Sequence, residues 1–172
     1  ATTYSWNTGA TTASISVTPT ITTNYTVTGT TTGCTNTKTL SVTVNPTPTV
    51  AASNATICNG SAASLTASGA TTYSWNTGAT TASISVTPTT TTNYTVVGTS
   101  TGCSNTKTLT VTVNSSPVVS ASNGTICNGA TANLTASGAT TYSWNTGATT
   151  ASISVTPTTT TNYTVVGTTT GC

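Results

Sequence analysis

The side chains best suited to covalent or ionic chemistry in this 172-residue chain are five cysteines and two lysines, because Asp, Glu and His are absent. General acid–base catalysis draws on His, on carboxylates, or on Lys and Cys of shifted pKa, and two of those classes are missing outright. Metal sites built from carboxylates or imidazoles are excluded for the same reason, and no C-x-x-C pair occurs. The chain is therefore not expected to be an enzyme, and no catalytic, cofactor-binding or metal-ligating residue is assigned. A net charge of +2 is too small for nucleic-acid binding, which needs a dense Lys/Arg footprint.

The cysteines alternate in spacing: 24 residues from Cys34 to Cys58, 45 to Cys103, 24 to Cys127 and 45 to Cys172. Disulfide formation is the chemistry this pattern suggests. The 45-residue step stays within one repeat unit, so the expected pairs are Cys58–Cys103 and Cys127–Cys172, with Cys34 joined to a residue upstream of Ala1. A crosslink closing such a loop contributes roughly 4 kcal/mol on the chain-entropy estimate. Pairing across the 24-residue step (Cys34–Cys58 and Cys103–Cys127) is the alternative scheme, and free buried thiols a third. Lys38 and Lys107 share one repeat position at the start of a strand. An isopeptide bond to Asn would need a carboxylate to move the proton, so a solubilising charge at a strand is the expected role.

Those residues sit in a tandem array. The stretch Y-S-W-N-T-G-A-T-T-A-S-I-S-V-T-P-T-x-T-T-N-Y-T-V begins at Tyr4, Tyr73 and Tyr142, a step of 69 residues each time. Across its 24 positions the copies differ only where Ile21 stands for Thr90 and Thr159. Dividing at the Asn-Pro and Asn-Ser-Ser-Pro junctions gives a partial unit at 1–45, a complete unit at 46–114 and a unit lacking its last strand at 115–172.

Thr alternates with Val, Ile and Leu at period two, as half-buried strands require, and Thr itself favours strands. In the complete unit this predicts strands near Val50–Ser53, Ala63–Ser68, Tyr73–Trp75, Ala82–Thr87, Asn93–Val97 and Thr106–Val113. Turns fall at Cys58-Asn59-Gly60, Gly69-Ala70 and Asn76-Thr77-Gly78, and Pro88 ends a strand. Leu65, Ala67, Trp75, Ile84, Val86, Tyr94, Val96, Leu109, Val111 and Val113 are the expected inward residues. Trp6, Trp75 and Trp144 are read as core rather than as a sugar-stacking surface. Tyr25, Tyr94 and Tyr163 are read as core with the phenol bonded to backbone at a strand corner. Nothing reads as a helix, and no apolar run approaches the ~20 residues of a membrane span. The expected fold is all-β: tandem antiparallel β-sandwich domains.

The Y-S-W-N-T-G element, with N-Y-T-V-V-G and T-L-T-V-T-V-N, resembles the PKD-like and Ig-like tandem repeats of secreted Bacteroidota surface proteins. The resemblance covers the complete unit and most of both partial ones. It implies an Ig-like sandwich serving as spacer, stalk or adhesive array. In PKD domains the Trp element is usually W-D-F-G-D-G. Asn76 and Ala79 replace its acidic positions here, so no acidic or calcium role is carried over.

Thr and Ser make up roughly 45% of the chain, a bias typical of O-glycosylated stalks. Two charges give almost no repulsion between molecules, and flat Thr/Ser strand faces invite edge pairing. Covalent O-glycans would cover them. The candidate positions are the loop runs Thr89, Thr90, Thr91 and Thr92, and Thr158, Thr159, Thr160 and Thr161. The outward strand residues Thr108, Thr110 and Thr112 follow. The bland alternative is that Thr merely fills strand faces. The expected function is a structural segment of a long extracellular, O-glycosylated bacterial fibre or stalk. Its partners would be neighbouring repeats or further copies of itself. The alternative is a multivalent adhesin array binding glycans or cell surfaces.

Overall fold

A computed structural model describes all 172 residues, and every regular element in it is a β-strand. Strands β1 (Thr3–Trp6), β2 (Thr23–Thr31) and β3 (Cys34–Val42) form one antiparallel sheet in the order β1-β2-β3. The middle sandwich follows: β4 (Ala51–Ala52), β5 (Ala55–Cys58), β6 (Ala63–Ser68), β7 (Thr72–Trp75), β8 (Ser83–Val86), β9 (Thr92–Ser100) and β10 (Cys103–Asn114). A third sandwich holds β11 (Ser120–Ala121), β12 (Ala132–Ser137), β13 (Thr141–Trp144), β14 (Ser152–Val155) and β15 (Val165–Thr168).

The middle sandwich has a three-stranded sheet β4-β6-β8 facing a four-stranded sheet β5-β10-β9-β7. Seven short strands in two sheets with this order make an Ig-like sandwich. The period-two pattern works as expected in β6, where Ala63, Leu65 and Ala67 are buried and Ser64, Thr66 and Ser68 exposed. The core is a single cluster of Val50, Ala63, Leu65, Ala67, Trp75, Tyr94, Val96, Leu109 and Val111. Ile84 and Val86 are half-buried and packed against it, and Val113 is half-buried. The third sandwich repeats the layout with β11-β12-β14 facing β13-β15 around Leu134, Ala136, Trp144 and Ile153.

Not all pairing is antiparallel. The first strand is split: β4 pairs with β6 in one sheet, then the chain crosses at Ser53-Asn54 to the other sheet. There β5 runs parallel to β10, Ala55 beside Val111 and Cys58 beside Asn114. Asn54 fixes the crossing, its Oδ1 accepting the Thr110 backbone N–H at 2.8 Å. The last strand is also longer than its apolar alternation indicates. β10 starts at Cys103, so Lys107 is mid-strand, on a stretch whose outer edge β5 leaves uncovered. A charge there guards an open edge.

The tyrosine assignment changes. The phenol bonded to backbone belongs to Tyr73, which donates to Ala70 O at 2.9 Å and accepts from Ala70 N–H at 3.0 Å. Tyr142 does the same with Ala139. Tyr94 is core. Tyr25 and Tyr163 are half-buried, and no phenol hydrogen bond engages any of these three. Gly98 stands opposite Tyr73 in β9, and an added Cβ would lie 2.5 Å from Val50 Cγ2 and 2.7 Å from the Ala70 methyl. The strand glycine of V-V-G is thus set by close packing rather than by a turn.

Leu109 and its repeat equivalent Leu40 occupy unlike surroundings, 1% and 46% exposed. Leu109→Ala is expected to cost about 2–5 kcal/mol in the stability of the middle sandwich, and Leu40→Ala less than about 1 kcal/mol in the same chain. Denaturant unfolding followed by Trp fluorescence measures both.

Candidate functional site at the junctions between sandwiches

One disulfide is present, and it is neither of the expected pairs. Cys58 is joined to Cys172, 114 residues away, with Cα atoms 5.5 Å apart. Cys34, Cys103 and Cys127 are free thiols, Cys103 half-buried and the others exposed. The Cys58–Cys103 and Cys127–Cys172 pairing is thereby corrected, and the alternative across the 24-residue step is not formed either. Cys103 opens β10, whereas Cys58 lies beside Asn114 at its far end. Eleven strand residues at ~3.3 Å put the two cysteines roughly 36 Å apart, and a disulfide needs Cα atoms within about 7 Å. The 45-residue step does stay within one sandwich, but it runs from one pole to the other.

Cys58 belongs to the middle sandwich and Cys172 follows β15 of the third. The bond therefore ties two separately packed cores, and it does not staple either one internally. A polar latch accompanies it: Asn114 Nδ2 donates to Thr170 O at 3.1 Å. The equivalent contact recurs between the segment after β3 and the middle sandwich, where Asn45 Nδ2 donates to Thr101 O at 2.8 Å. The linker after Asn45 is also docked, since Pro48 is buried and its carbonyl accepts from Asn105 Nδ2 at 3.1 Å.

The latched carbonyls belong to strained residues. Thr32, Thr101 and Thr170 have φ of 48°, 49° and 46°, each followed by a glycine near +80°. Two successive positive φ values define the tight hairpin turn that suits strand twist, but a β-branched residue there is a genuine outlier. Asn or Gly would form the same turn without that strain.

The proposed glycan positions fall into two groups. Thr89, Thr90, Thr158, Thr159, Thr160 and Thr108 are exposed, and no hydrogen bond engages their hydroxyls. The others do structural work. Thr91 Oγ1 accepts the Val113 N–H at 3.1 Å, and Thr92, already in β9, donates to Thr90 O at 2.7 Å. Thr161 donates to Thr159 O at 2.9 Å, and Thr110 to Asn93 Oδ1 at 2.8 Å. Thr112 is half-buried opposite Thr56 of β5.

Asn76 has an architectural role. Its Oδ1 accepts the Thr95 backbone N–H at 3.2 Å, and its own N–H donates to Thr95 O at 3.0 Å, extending the β7–β9 ladder past Trp75. Asn7 and Asn145 repeat the side-chain bond with Thr26 and Thr164. A groove of about 690 Å³ on the third sandwich is lined by Leu134, Trp144, Val155, Pro157 and Tyr163 beside Cys127. In the middle sandwich Leu109 and Val111 of β10 cover the matching positions. The groove is thus an uncovered core face, with no cluster of titratable groups in it. The junction, not the groove, is where chemistry-bearing residues converge. Sequence reasoning missed Asn114, Asn45 and the Thr-Gly turns, although T-G between two strands was the available turn signal.

No family model matches the chain, and no curated protein matches it. Among solved structures it is similar to the "Crystal structure of domains A168-A170 from titin", at 17% identity and a TM-score of 0.33. That match covers 98% of this chain and 78% of the other.

The two pairing schemes give different digests. Trypsin cuts only after Lys38 and Lys107, so Cys58 leaves on 39–107 and Cys172 on 108–172. After thiol blocking and unreduced digestion, these two fragments are expected to migrate as one linked species that reduction separates. Separate fragments, each bridged internally, would restore pairing within a sandwich. In addition, Thr101→Asn is expected to stabilise the middle sandwich by about 1 kcal/mol in denaturant unfolding, by relieving the left-handed Thr.

Proposed function

We propose that this chain is a structural segment of a long extracellular fibre or stalk built of tandem Ig-like units. The unit boundaries fall at 1–45, 46–114 and 115–172, related to the PKD-like repeats of secreted Bacteroidota surface proteins. The observation that carries the reading is the Cys58–Cys172 bond between successive sandwiches. A spacer whose task is to hold neighbouring units in line gains from a second covalent connection beside the polypeptide. A structural disulfide also fits an oxidising compartment outside the cytosol. No helix is long and apolar enough to cross a membrane.

In this reading the protein acts mechanically, without catalysis, and its partners are neighbouring repeats or copies of itself. Short docked linkers and the Asn latches limit the angles between units, as stacked repeat proteins do. O-linked sugars on the free hydroxyls of Thr89, Thr90, Thr108, Thr158, Thr159 and Thr160 would keep the nearly uncharged sheets apart. The signal usual for such glycosylation in Bacteroidota contains Asp, which this chain lacks, so the sugar is added by another specificity.

After reduction and tryptic digestion of native material, fragment 39–107 is expected to exceed the mass of its bare sequence, with sugar on the Thr89-Thr90 run and little on Thr91 or Thr92. A mass equal to the bare polypeptide would remove the glycan. Electron microscopy is expected to show filaments beaded at one unit per 69 residues, and dispersed globules would remove the fibre.

A further inference from the structure

Cys103 lies at a junction that repeats the Asn latch and Thr-Gly turn of the next one but has neither a strand in the place of β5 nor a second sulfur. Its Sγ is 3.6 Å from the Asn45 carbonyl oxygen. Asn45 and Asn114 hold the same repeat position, and each latches the strained Thr-Gly turn of the sandwich that follows. At the second junction Cys172, in the position of Cys103, is joined to Cys58, which stands beside Asn114 in the β5–β10 register. A separate observation points the same way. Leu40 and Val42 of β3 are 46% and 37% exposed, whereas their equivalents Leu109 and Val111 are buried under the segment that contains β4 and β6. A segment like residues 46–69 laid over β1–β3 would cover that face. It would also bring a cysteine to the pole where Cys103 meets Asn45.

We infer that Cys103 is one half of a second inter-sandwich disulfide. Its other half is the thiol of a cysteine 114 residues before it, in the place that Cys58 holds relative to Cys172. The inference rests on the reading of the chain as part of a longer tandem array. By the same rule Cys127 takes a cysteine 114 residues after it. Forming each bond removes two protons and two electrons from two thiols, and an oxidant disulfide accepts the electrons as it becomes two thiols. The middle sandwich is then bolted at both poles: at Cys103, which opens β10, and at Cys58, held beside the end of β10. Tension along the array passes down β10 and across its four-residue parallel pairing with β5, in shear, bypassing both proline linkers.

The test uses the 172-residue chain and a synthetic peptide of residues 46–69, its cysteine carried as a mixed disulfide with glutathione. The Cys103 thiolate attacks the peptide sulfur, the bond to glutathione breaks, and glutathione leaves as thiol, so no further oxidant is needed. Combined trypsin and chymotrypsin digestion places Cys34, Cys103 and Cys127 on separate peptides. Adduct at Cys103 is expected to exceed that at Cys34 and Cys127 by about tenfold. The preference should vanish for a peptide carrying Leu65→Asp, which cannot cover the sheet. Oxidised glutathione alone should favour the exposed Cys34 and Cys127. Labelling of Cys103 by the peptide that is no greater than that of the other two thiols overturns the inference. The bead spacing of native filaments reads the array independently, so the two failures are distinguishable.

Discussion

The indole of Trp75 joins the two sheets of the middle sandwich, and the remaining packing depends on it. It is 3% exposed, and its Nε1–H donates to Thr81 O at 2.9 Å. Trp75 belongs to β7 in one sheet, and Thr81 lies two residues before β8 in the other. A buried N–H without a partner would cost about 1–3 kcal/mol, so the segment from Ala79 to Thr81 must return to the tryptophan. It does so through Trp75 N–H to Ala79 O and Gly78 N–H to Trp75 O. Trp6 and Trp144 make the same bond to Thr12 and Thr150. The constancy of Y-S-W-N-T-G-A-T-T follows from this closure: each residue between the indole and its acceptor is part of one turn.

Much of the fold was legible in the sequence, because period two reports which face of a strand is buried. The boundaries of β6, the inward set around Leu65, Val96 and Leu109, and the tryptophan as core all follow from alternation. Alternation does not report a strand's neighbour or its direction. The parallel β5–β10 pair was hidden for that reason, and so was the split of the first strand at Ser53-Asn54. Neither phenol partner was readable, since Tyr73 and Tyr94 both alternate inward and only the turn at Gly69-Ala70 decides which one bonds backbone. The cysteine pairing was lost at the same step. Spacing along the chain places Cys58 and Cys103 in one unit, but only the strand directions place them at opposite poles.

The uncharged surface is less exposed to strand exchange than its composition indicates. Many Thr and Ser hydroxyls are satisfied within the sheets: Thr99 with Ser104, Thr66 with Ser83, and Thr110 with Asn93. Such cross-strand pairs add to sheet stability and fix register. The open stretch of β10 is closed at one end by Asn54 and at the other by Asn105 holding Pro48, with Lys107 between them. The two lysines are thus spent where an edge would otherwise be bare.

The junction brings the remaining irregularities together. A β-branched residue in the left-handed region is disfavoured locally, so its recurrence as Thr32, Thr101 and Thr170 needs a cause outside the turn. Two of these three turns present their threonine carbonyl to an Asn of the preceding segment, and each is followed two residues later by a cysteine. Strain persists where surrounding structure over-determines it. A turn held by an amide on one side and able to be crosslinked on the other is over-determined in that sense. Repetition at fixed spacing then matters more than any single contact. The middle sandwich carries a cysteine at each pole, so its two neighbours meet it with the same Asn latch and the same Thr-Gly turn.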